Sequence, residues 1–166
     1  MRKLVILLLA LAPFLGFSQR QVQNEIAWLP IEKAKELAKK NNKKILIFFY
    51  KKDCTYCEEM KKTTLQDPAV VNLINSNFFP VTIDSRTKDT IIYNGIAYGN
   101  QQPASSGRHD WRHDFYAEVA AFTQNGTSQI TTPTIVLFNN NFGKIINIPG
   151  KQPKEQLLRT LQNHIK

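Results

Sequence analysis

Residues Lys44–Lys62, KILIFFYKKDCTYCEEMKK, carry the strongest indication of the fold of this chain. Ile45 to Tyr50 is an uninterrupted run of apolar, β-favouring residues, which is typical of a strand buried on both faces in the middle of a sheet. A helix is predicted to begin at Cys54 and to carry Cys57 one turn further on. Residues three apart on a helix lie about 5–6 Å from each other, within the Cα separation that a disulfide tolerates. The pair can therefore exist as a dithiol or as a disulfide without a change in the backbone.

The start of a helix also activates the first sulfur. A thiolate there faces unpaired N–H groups and the positive end of the helix dipole, which lowers a cysteine pKa from about 8.5 toward 7 or below. We therefore expect Cys54 to be the nucleophile and Cys57 the resolving thiol. The charges nearby act in opposite directions, since Lys51 and Lys52 favour the thiolate whereas the two glutamates after Cys57 oppose it.

Residues 1–18 have the pattern of a signal peptide. Two basic residues precede a short apolar stretch from Leu4 to Phe17, and small residues stand before a cut at Gln19. The alternative is an uncleaved N-terminal anchor. We expect cleavage to leave a single domain, residues 19–166, that is periplasmic or secreted and has no stable membrane insertion.

Disulfides persist outside the cytoplasm. In an exported protein the two cysteines could therefore form a purely structural disulfide. A bridge across so short a loop constrains the unfolded chain little, however. The spacing of Cys54 and Cys57, the only cysteines in the chain, favours a redox-active pair.

The chain is basic, with a formal net charge of +9, and ten of its lysines lie between Lys33 and Lys62. A nucleic-acid surface and an ordinary solvated basic face are the two interpretations. No nucleic-acid-binding motif is present, and the lysines do not alternate with aromatic residues. We therefore expect no nucleic-acid partner.

The elements around the central strand alternate between strands and helices. The pattern predicts a first strand or an entry segment near Ile26–Leu29, a helix from Ile31 to Lys40, a helix begun by Asp67 and Pro68, and a strand from Phe78 to Ile83. After these come a loop over Ser85–Gly107 with a short strand at Ile91–Tyr93, a helix from Arg108 that ends at Asn125-Gly126, strands Ile135–Phe138 and Lys144–Ile148, and a last helix from Pro153. This order predicts an α/β fold with a mixed or parallel central sheet flanked by helices.

The buried strand, the Cys-x-x-Cys at a helix start and a later Thr132-Pro133 before a strand and hairpin together resemble the thioredoxin-like superfamily. The resemblance covers roughly residues 27–164 and implies a thioredoxin fold with an insertion, about residues 85–114, before the proline strand. It also implies that Pro133 is cis and lies beside the cysteines, and that the backbone of Thr132 binds an extended substrate segment. Tyr56, between the cysteines, is a further candidate for substrate contact.

The sequence departs from the family pattern at three places. Asp53 stands where many members have tryptophan before the first cysteine, and Thr55-Tyr56 replaces the frequent Gly-Pro. Phe48 occupies the position of the buried aspartate that assists the resolving thiol in thioredoxin itself. Asp53 could replace that carboxylate only by pointing inward. The lysine-rich first helix and Trp28 are similar to those of exported members of the superfamily.

The resemblance implies an enzyme, an exported thiol–disulfide oxidoreductase that needs no cofactor beyond its own Cys54–Cys57 disulfide. Its expected partners are protein thiols or disulfides and a protein that donates or accepts electrons. Because neither residue between the cysteines is a cation, we expect a reductase or isomerase rather than a strong oxidase. The alternative is a non-catalytic binding module that uses the 85–114 insertion.

Two further sets of residues admit two interpretations each. His109 and His113 have the i, i+4 spacing of a metal-binding pair, but a closed site needs about four ligands, and we expect an exposed polar helix face. Trp111, Phe115 and Phe122 are expected to lie in the core rather than to form a ligand platform.

Overall fold

The computed structural model describes residues 24–100 and 112–165. Its central strand is β1 (Lys44–Tyr50), whose five inner residues are all buried. Ile45, Ile47 and Phe49 pack into a core on one face of the sheet. Leu46 and Phe48 pack into a second core on the opposite face. The prediction of a strand buried on both faces is therefore confirmed.

The main sheet has four strands, in the order β2 (Phe78–Asp84), β1, β7 (Thr134–Phe138) and β8 (Lys144–Pro149), and a seven-residue parallel register joins β1 to β2. Strand β7 is antiparallel to β1, and β8 is antiparallel to β7. The predicted mixed sheet is confirmed. This order places the start of β7 next to the end of β1, where the chain turns toward the cysteines.

Helices cover both faces of the sheet. On one face lie α1 (Ile31–Asn41) and α4 (Asp114–Ala120), whose buried residues share a core with one side of β1. On the other face lie α2 (Thr55–Lys62), α3 (Pro68–Asn77) and α5 (Lys154–Gln162), with a short 3₁₀ helix, Thr64–Gln66, after α2. No helix in the described ranges is long and apolar enough to cross a membrane.

The ends of the helices follow local signals in the sequence. The Asp67 carboxylate accepts hydrogen bonds from the backbone N–H groups of Ala69 and Val70, and Pro68 is the first helical residue, as predicted. A hydrogen bond from Lys154 lowers the pKa of Asp67 below its usual value. Helix α1 ends at Asn41, and the next residue, Asn42, takes the left-handed conformation that asparagine tolerates.

The predicted short strand at Ile91–Tyr93 is present as β3, and it pairs with an unpredicted partner, β4 (Ile96–Tyr98). Asn94 and Gly95 both have positive φ and form the two-residue turn between them. Ile91 and Tyr93 are buried in the α1–α4 core. This part of the insertion is thus packed against the domain.

The prediction of one helix from Arg108 to Asn125-Gly126 is wrong. Helix α4 ends at Ala120, and the chain then forms a second hairpin, β5 (Phe122–Gln124) and β6 (Thr127–Gln129). Asn125 and Gly126 have φ values of 51° and 74°, so they form a hairpin turn rather than a helix end. Phe115 is buried as expected, whereas Phe122 is only partly buried; Trp111 and His109 lie outside the described residues.

Of the two alternatives for Ile26–Leu29, the strand is wrong, which leaves the entry segment. This segment forms no ladder, and one backbone hydrogen bond, from Leu29 N–H to the Pro80 carbonyl at 2.8 Å, ties it to β2. Ile26 is nevertheless buried, which explains the apolar pattern without a strand. The signal peptide predicted for residues 1–18 lies outside the described residues, so the domain boundary at 19 stays a prediction.

Candidate active site

Cys54 and Cys57 form a disulfide at the start of α2, with their Cα atoms 5.2 Å apart. Cys54 is the N-cap residue, and the backbone N–H of Cys57 points at its Sγ from 3.2 Å. Cys54 is 7% exposed and Cys57 is fully buried, so an incoming substrate reaches Cys54 first. In the reduced protein the Cys57 N–H would stabilise negative charge on Cys54, the predicted nucleophile.

The loop between β1 and α2 places Cys54 at the end of the sheet. The Tyr50 carbonyl accepts a hydrogen bond of 2.7 Å from the Ser85 N–H, and the Arg86 guanidinium donates to the Lys52 carbonyl at 3.3 Å. Asp53 has a positive φ of 60° and is exposed. It therefore does not point inward, and it cannot replace the buried carboxylate that the family carries.

The position of that carboxylate is filled by an apolar side chain. Phe48 is 1% exposed, its ring centroid lies 6.2 Å from that of Trp28, and it stacks on Tyr50 at 6.3 Å. The family position that carries a carboxylate in thioredoxin is therefore apolar in this chain.

The two glutamates beside the cysteines each pair with a lysine. Glu58 lies 3.0 Å from Lys61, one turn further along α2, and Glu59 lies 2.5 Å from Lys151 at the other side of the site. Such exposed pairs contribute little to stability. Their consequence here is electrostatic, because each lysine offsets a negative charge that would oppose a thiolate at Cys54.

A loop 78 residues away in the sequence completes the site. The Thr132–Pro133 peptide bond is cis, and the Thr132 carbonyl oxygen lies 3.7 Å from the Cys54 Sγ. The Pro133 carbonyl accepts a hydrogen bond of 2.8 Å from the Gly150 N–H, which fixes the proline against β8. The structure thus brings Cys54, Thr132 and Pro133 together, as the resemblance implies, while their roles stay predictions.

Residues that the sequence analysis missed support this proline loop. The Thr131 carbonyl accepts hydrogen bonds from the Tyr116 hydroxyl on α4 and, at 2.5 Å, from the Thr134 hydroxyl. Burial raises the pKa of Tyr116 to about 12. A buried tyrosine normally finds a partner for its hydroxyl, and this requirement is the one sequence signal that Tyr116 offered.

Tyr56 is the most exposed of the large apolar side chains in the described residues, at 62%. The Lys151 ammonium lies 5.8 Å from the centroid of its ring. The exposed ring stands on the same turn of α2 as both cysteines. This placement suits contact with a substrate that approaches Cys54.

The expectation of an exposed helix face at His113 is wrong. His113 is fully buried as the N-cap of α4, where its Nδ1 accepts from the Phe115 N–H at 3.1 Å and its Nε2 lies 2.8 Å from the Asp89 carbonyl. Both ring nitrogens are therefore engaged, so His113 has no lone pair to offer a metal. Within the ranges that the structure describes, no cluster of three or more histidines, cysteines, aspartates or glutamates could hold a metal ion.

Solved structures with the same fold are similar over most of the chain. A thioredoxin from Thermus thermophilus superposes with a TM-score of 0.57 at 19% identity, covering 86% of this chain and 88% of its own. The DsbH oxidoreductase reaches 0.59 at 16% identity, covering 91% and 92%. A disulphide isomerase from Xylella fastidiosa Temecula1 reaches 0.52 at 19% identity, covering 82% and 88%.

At these identities the likeness establishes the fold. The comparison with curated protein sequences found no match. A domain with this fold and a Cys-x-x-Cys disulfide at the start of α2 has the architecture of a thiol–disulfide oxidoreductase. Residues 31–165 match the family described as a thioredoxin-like domain, and the chain belongs to that family.

Proposed function

We propose that this protein is an exported thiol–disulfide oxidoreductase that acts on protein substrates as a reductase or isomerase. The observation that carries the proposal is the position of the Thr132 carbonyl, 3.7 Å from the Cys54 Sγ and beside the cis Pro133. A backbone group there can hold an extended substrate segment while its disulfide meets Cys54. Export is supported by the signal-peptide pattern of residues 1–18.

The proposed reaction is thiol–disulfide exchange in two steps. The Cys54 thiolate attacks one sulfur of a substrate disulfide, the substrate S–S bond breaks, and the released substrate thiolate takes a proton. The Cys57 thiolate then attacks the Cys54 Sγ, which releases the second substrate thiolate and forms the Cys54–Cys57 disulfide. The substrate gains two electrons and two protons, and the protein loses them. A dithiol protein of the same compartment must then reduce the pair again.

The direction of the reaction is inferred from the residues near the nucleophile. A strong oxidant stabilises its reduced form through a very acidic thiolate. Thr55 and Tyr56 provide no cation between the cysteines. The nearby Lys61 and Lys151 are each engaged in an ion pair, with Glu58 and Glu59 respectively. These features favour reduction or isomerisation of substrates over oxidation.

The test of the exchange chemistry is a pair of cysteine variants. Cys57→Ala should accumulate a mixed disulfide between Cys54 and a protein substrate such as insulin, because the resolving thiol is missing. Cys54→Ala should trap nothing, since Cys57 is buried. Mass spectrometry detects the adduct. The absence of an adduct with Cys57→Ala, in protein shown to be folded, would reject the enzymatic proposal.

The direction is tested by the equilibrium reduction potential of the Cys54–Cys57 pair, titrated against glutathione and dithiothreitol. A potential of about −270 mV is expected for a reductase. A potential of about −120 mV would instead make the protein a donor of disulfides.

A binding module remains the second candidate, and two exposed side chains favour it. Ile92 and Ile96, on the β3–β4 hairpin of the insertion, are 53% and 57% exposed. Such residues suit contact with a partner protein. A Cys54–Cys57 bridge that resists both glutathione and dithiothreitol would favour this candidate over the enzyme.

A further inference from the structure

A polar cavity of about 490 Å³ lies at the end of the sheet where β1 begins. The last residues of α1 and α3, the turn between β7 and β8, and Ile165 surround it. Its lining consists of five asparagines, two lysines, one serine and one isoleucine, and none of these described residues is an aspartate or a glutamate. The volume is within the range of small-molecule sites, and the polar lining suits a polar ligand.

The cavity is separate from the candidate active site. Strand β1 runs from Lys44, which lines the cavity, to Tyr50, four residues before Cys54. At about 3.3 Å per residue the strand alone spans roughly 20 Å. A ligand in the cavity would therefore not contact the disulfide, and a role for the cavity is independent of the exchange chemistry.

The asparagine side chains of the cavity are each held at one end. Asn41 and Asn77 donate to carbonyls one turn earlier in their own helices, both at 2.8 Å. Asn140 donates to the Asn42 Oδ1 at 2.8 Å, and the Asn139 Oδ1 accepts two backbone N–H groups of the β7–β8 turn, at 3.0 and 2.8 Å. In the described residues, the Asn139 Nδ2 and the Asn140 Oδ1 have no hydrogen-bond partner. These amides are thus oriented by the protein and keep one end for a ligand.

The two lysines that line the cavity are half-buried. The Lys43 ammonium donates to the Asn75 carbonyl at 2.8 Å and lies 4.8 Å from the centroid of the Phe79 ring. In the described residues no carboxylate pairs with Lys43, and burial lowers its pKa below the usual value. The Lys44 ammonium donates to the His164 carbonyl at 2.6 Å. A partly buried ammonium without a carboxylate partner is stabilised by a bound anion.

We propose that this cavity binds a sugar that carries a negatively charged group, either a phosphate or a carboxylate. The anionic group pairs with the Lys43 ammonium, which has three N–H donors. Sugar hydroxyls both donate and accept hydrogen bonds, as the Asn139 and Asn140 amides do. Ile165 offers an apolar contact for the C–H face of a sugar ring. This binding site is a second one, beyond the proposed chemistry at the disulfide.

The ligand class is tested by isothermal titration calorimetry of the wild-type protein in about 0.15 M salt. Glucose 6-phosphate and glucuronate are the two anionic sugars. Glucose, inorganic phosphate and acetate are the controls, each of which lacks either the charge or the sugar. We expect at least one anionic sugar to bind with a Kd of about 1 mM or tighter. Glucose and the simple anions should each bind at least about ten-fold more weakly.

The location of the site is tested with two pairs of variants, each matched in chemistry. Lys43→Gln removes a charge from the cavity, and Lys39→Gln removes an exposed charge of α1 that does not line it. Asn140→Ala removes an amide that lines the cavity, and Asn141→Ala removes the exposed amide next to it. We expect Lys43→Gln to weaken binding of the anionic sugar about ten-fold and Asn140→Ala about five-fold, while both controls stay within about two-fold of wild type.

Saturable binding that is weaker in both cavity variants than in their controls would support the site. The absence of binding of either anionic sugar to the wild type would overturn it. It would also be overturned if glucose or the simple anion bound as tightly as the anionic sugar, or if a cavity variant and its control lost the same affinity. Circular dichroism checks that each variant is folded, and if Lys43→Gln is not, the asparagine pair decides.

Discussion

The hydroxyl of Tyr116 donates a hydrogen bond to the backbone carbonyl of Thr131, and this contact joins α4 to the loop that faces the disulfide. The next carbonyl along the chain, that of Thr132, lies 3.7 Å from the Cys54 Sγ. Helix α4 thus fixes the orientation of a backbone segment to which the proposed substrate binds. Thr134 donates to the same Thr131 oxygen at 2.5 Å, so two side chains hold the loop.

We expect Tyr116→Phe to lower the free energy of unfolding by about 1 kcal/mol, because the change removes one buried hydrogen bond and leaves the ring in place. Tyr93→Phe is the matched control. Tyr93 belongs to the same aromatic core, and in the described residues its hydroxyl has no hydrogen-bond partner. Urea denaturation measures both variants. Equal losses of stability in the two would contradict a specific role for the Tyr116–Thr131 contact.

The raised pKa of Tyr116 predicts a loss of stability in alkali. Burial raises this pKa to about 12, above the usual value of about 10, so the folded state favours the neutral phenol. The linked contribution is fully present below about pH 10 and is lost as pH rises toward 12, by an amount on the order of 2–3 kcal/mol. Unfolding of wild type and Tyr116→Phe between these pH values measures the difference. Parallel pH profiles would argue against the contribution of Tyr116.

The exposed ring of Tyr56 should matter for substrates and not for stability. We expect Tyr56→Ala to slow reduction of insulin about five-fold, the effect of losing about 1 kcal/mol of apolar contact, and to change the free energy of unfolding by less than about 0.5 kcal/mol. Ile92→Ala, at another exposed apolar residue, should leave the insulin rate unchanged. A similar decrease with both variants would show a nonspecific loss of surface contact.

Phe48 should not tolerate the carboxylate of the family pattern. Phe48→Asp places an unpaired charge in an apolar core, and we expect it to lower the free energy of unfolding by at least about 3 kcal/mol. Phe48→Leu, which keeps the site apolar, should cost about 1–2 kcal/mol. Chemical denaturation compares the two. A Phe48→Asp protein as stable as Phe48→Leu would mean that the surrounding residues can accommodate a carboxylate.

His113 should behave as a structural cap rather than a metal ligand. His113→Ala removes the bonds to Phe115 N–H and to the Asp89 carbonyl, and we expect a loss of about 2 kcal/mol. Asparagine can still cap the helix, so His113→Asn should lose about half as much. Nitrogen NMR should show the neutral tautomer with hydrogen on Nε2. Stabilisation of the wild type by zinc, absent in His113→Ala, would contradict the structural assignment.

Helix α4 differs from its predicted form at both ends, and the two differences have a common physical origin. Phe115, Val119 and Phe122 have helical spacing, but the Asn125-Gly126 turn allows β5 to pair with β6, and pairing overrides the weaker local preference after Ala120. His113 was expected on an exposed face, although it lies at the buried N-terminus of α4. In both cases the structure depends on contacts between residues on opposite sides of a turn or of the core. The spacing of apolar residues along the sequence does not reveal such contacts.

Local patterns in the sequence suffice to predict the central strand and the position of the cysteine pair. An unbroken apolar run has to be buried on both faces, and a three-residue spacing at a helix start brings Cys54 and Cys57 within disulfide reach. Those outcomes depend on neighbours within a few residues. What faces the disulfide depends on long-range packing, because the pairing of β7 with β1 brings Thr132 to the site and the packing of α4 brings the Tyr116 contact behind it. Such contacts join residues tens of positions apart, and the free energy of the whole packed core, rather than any local pattern, fixes them.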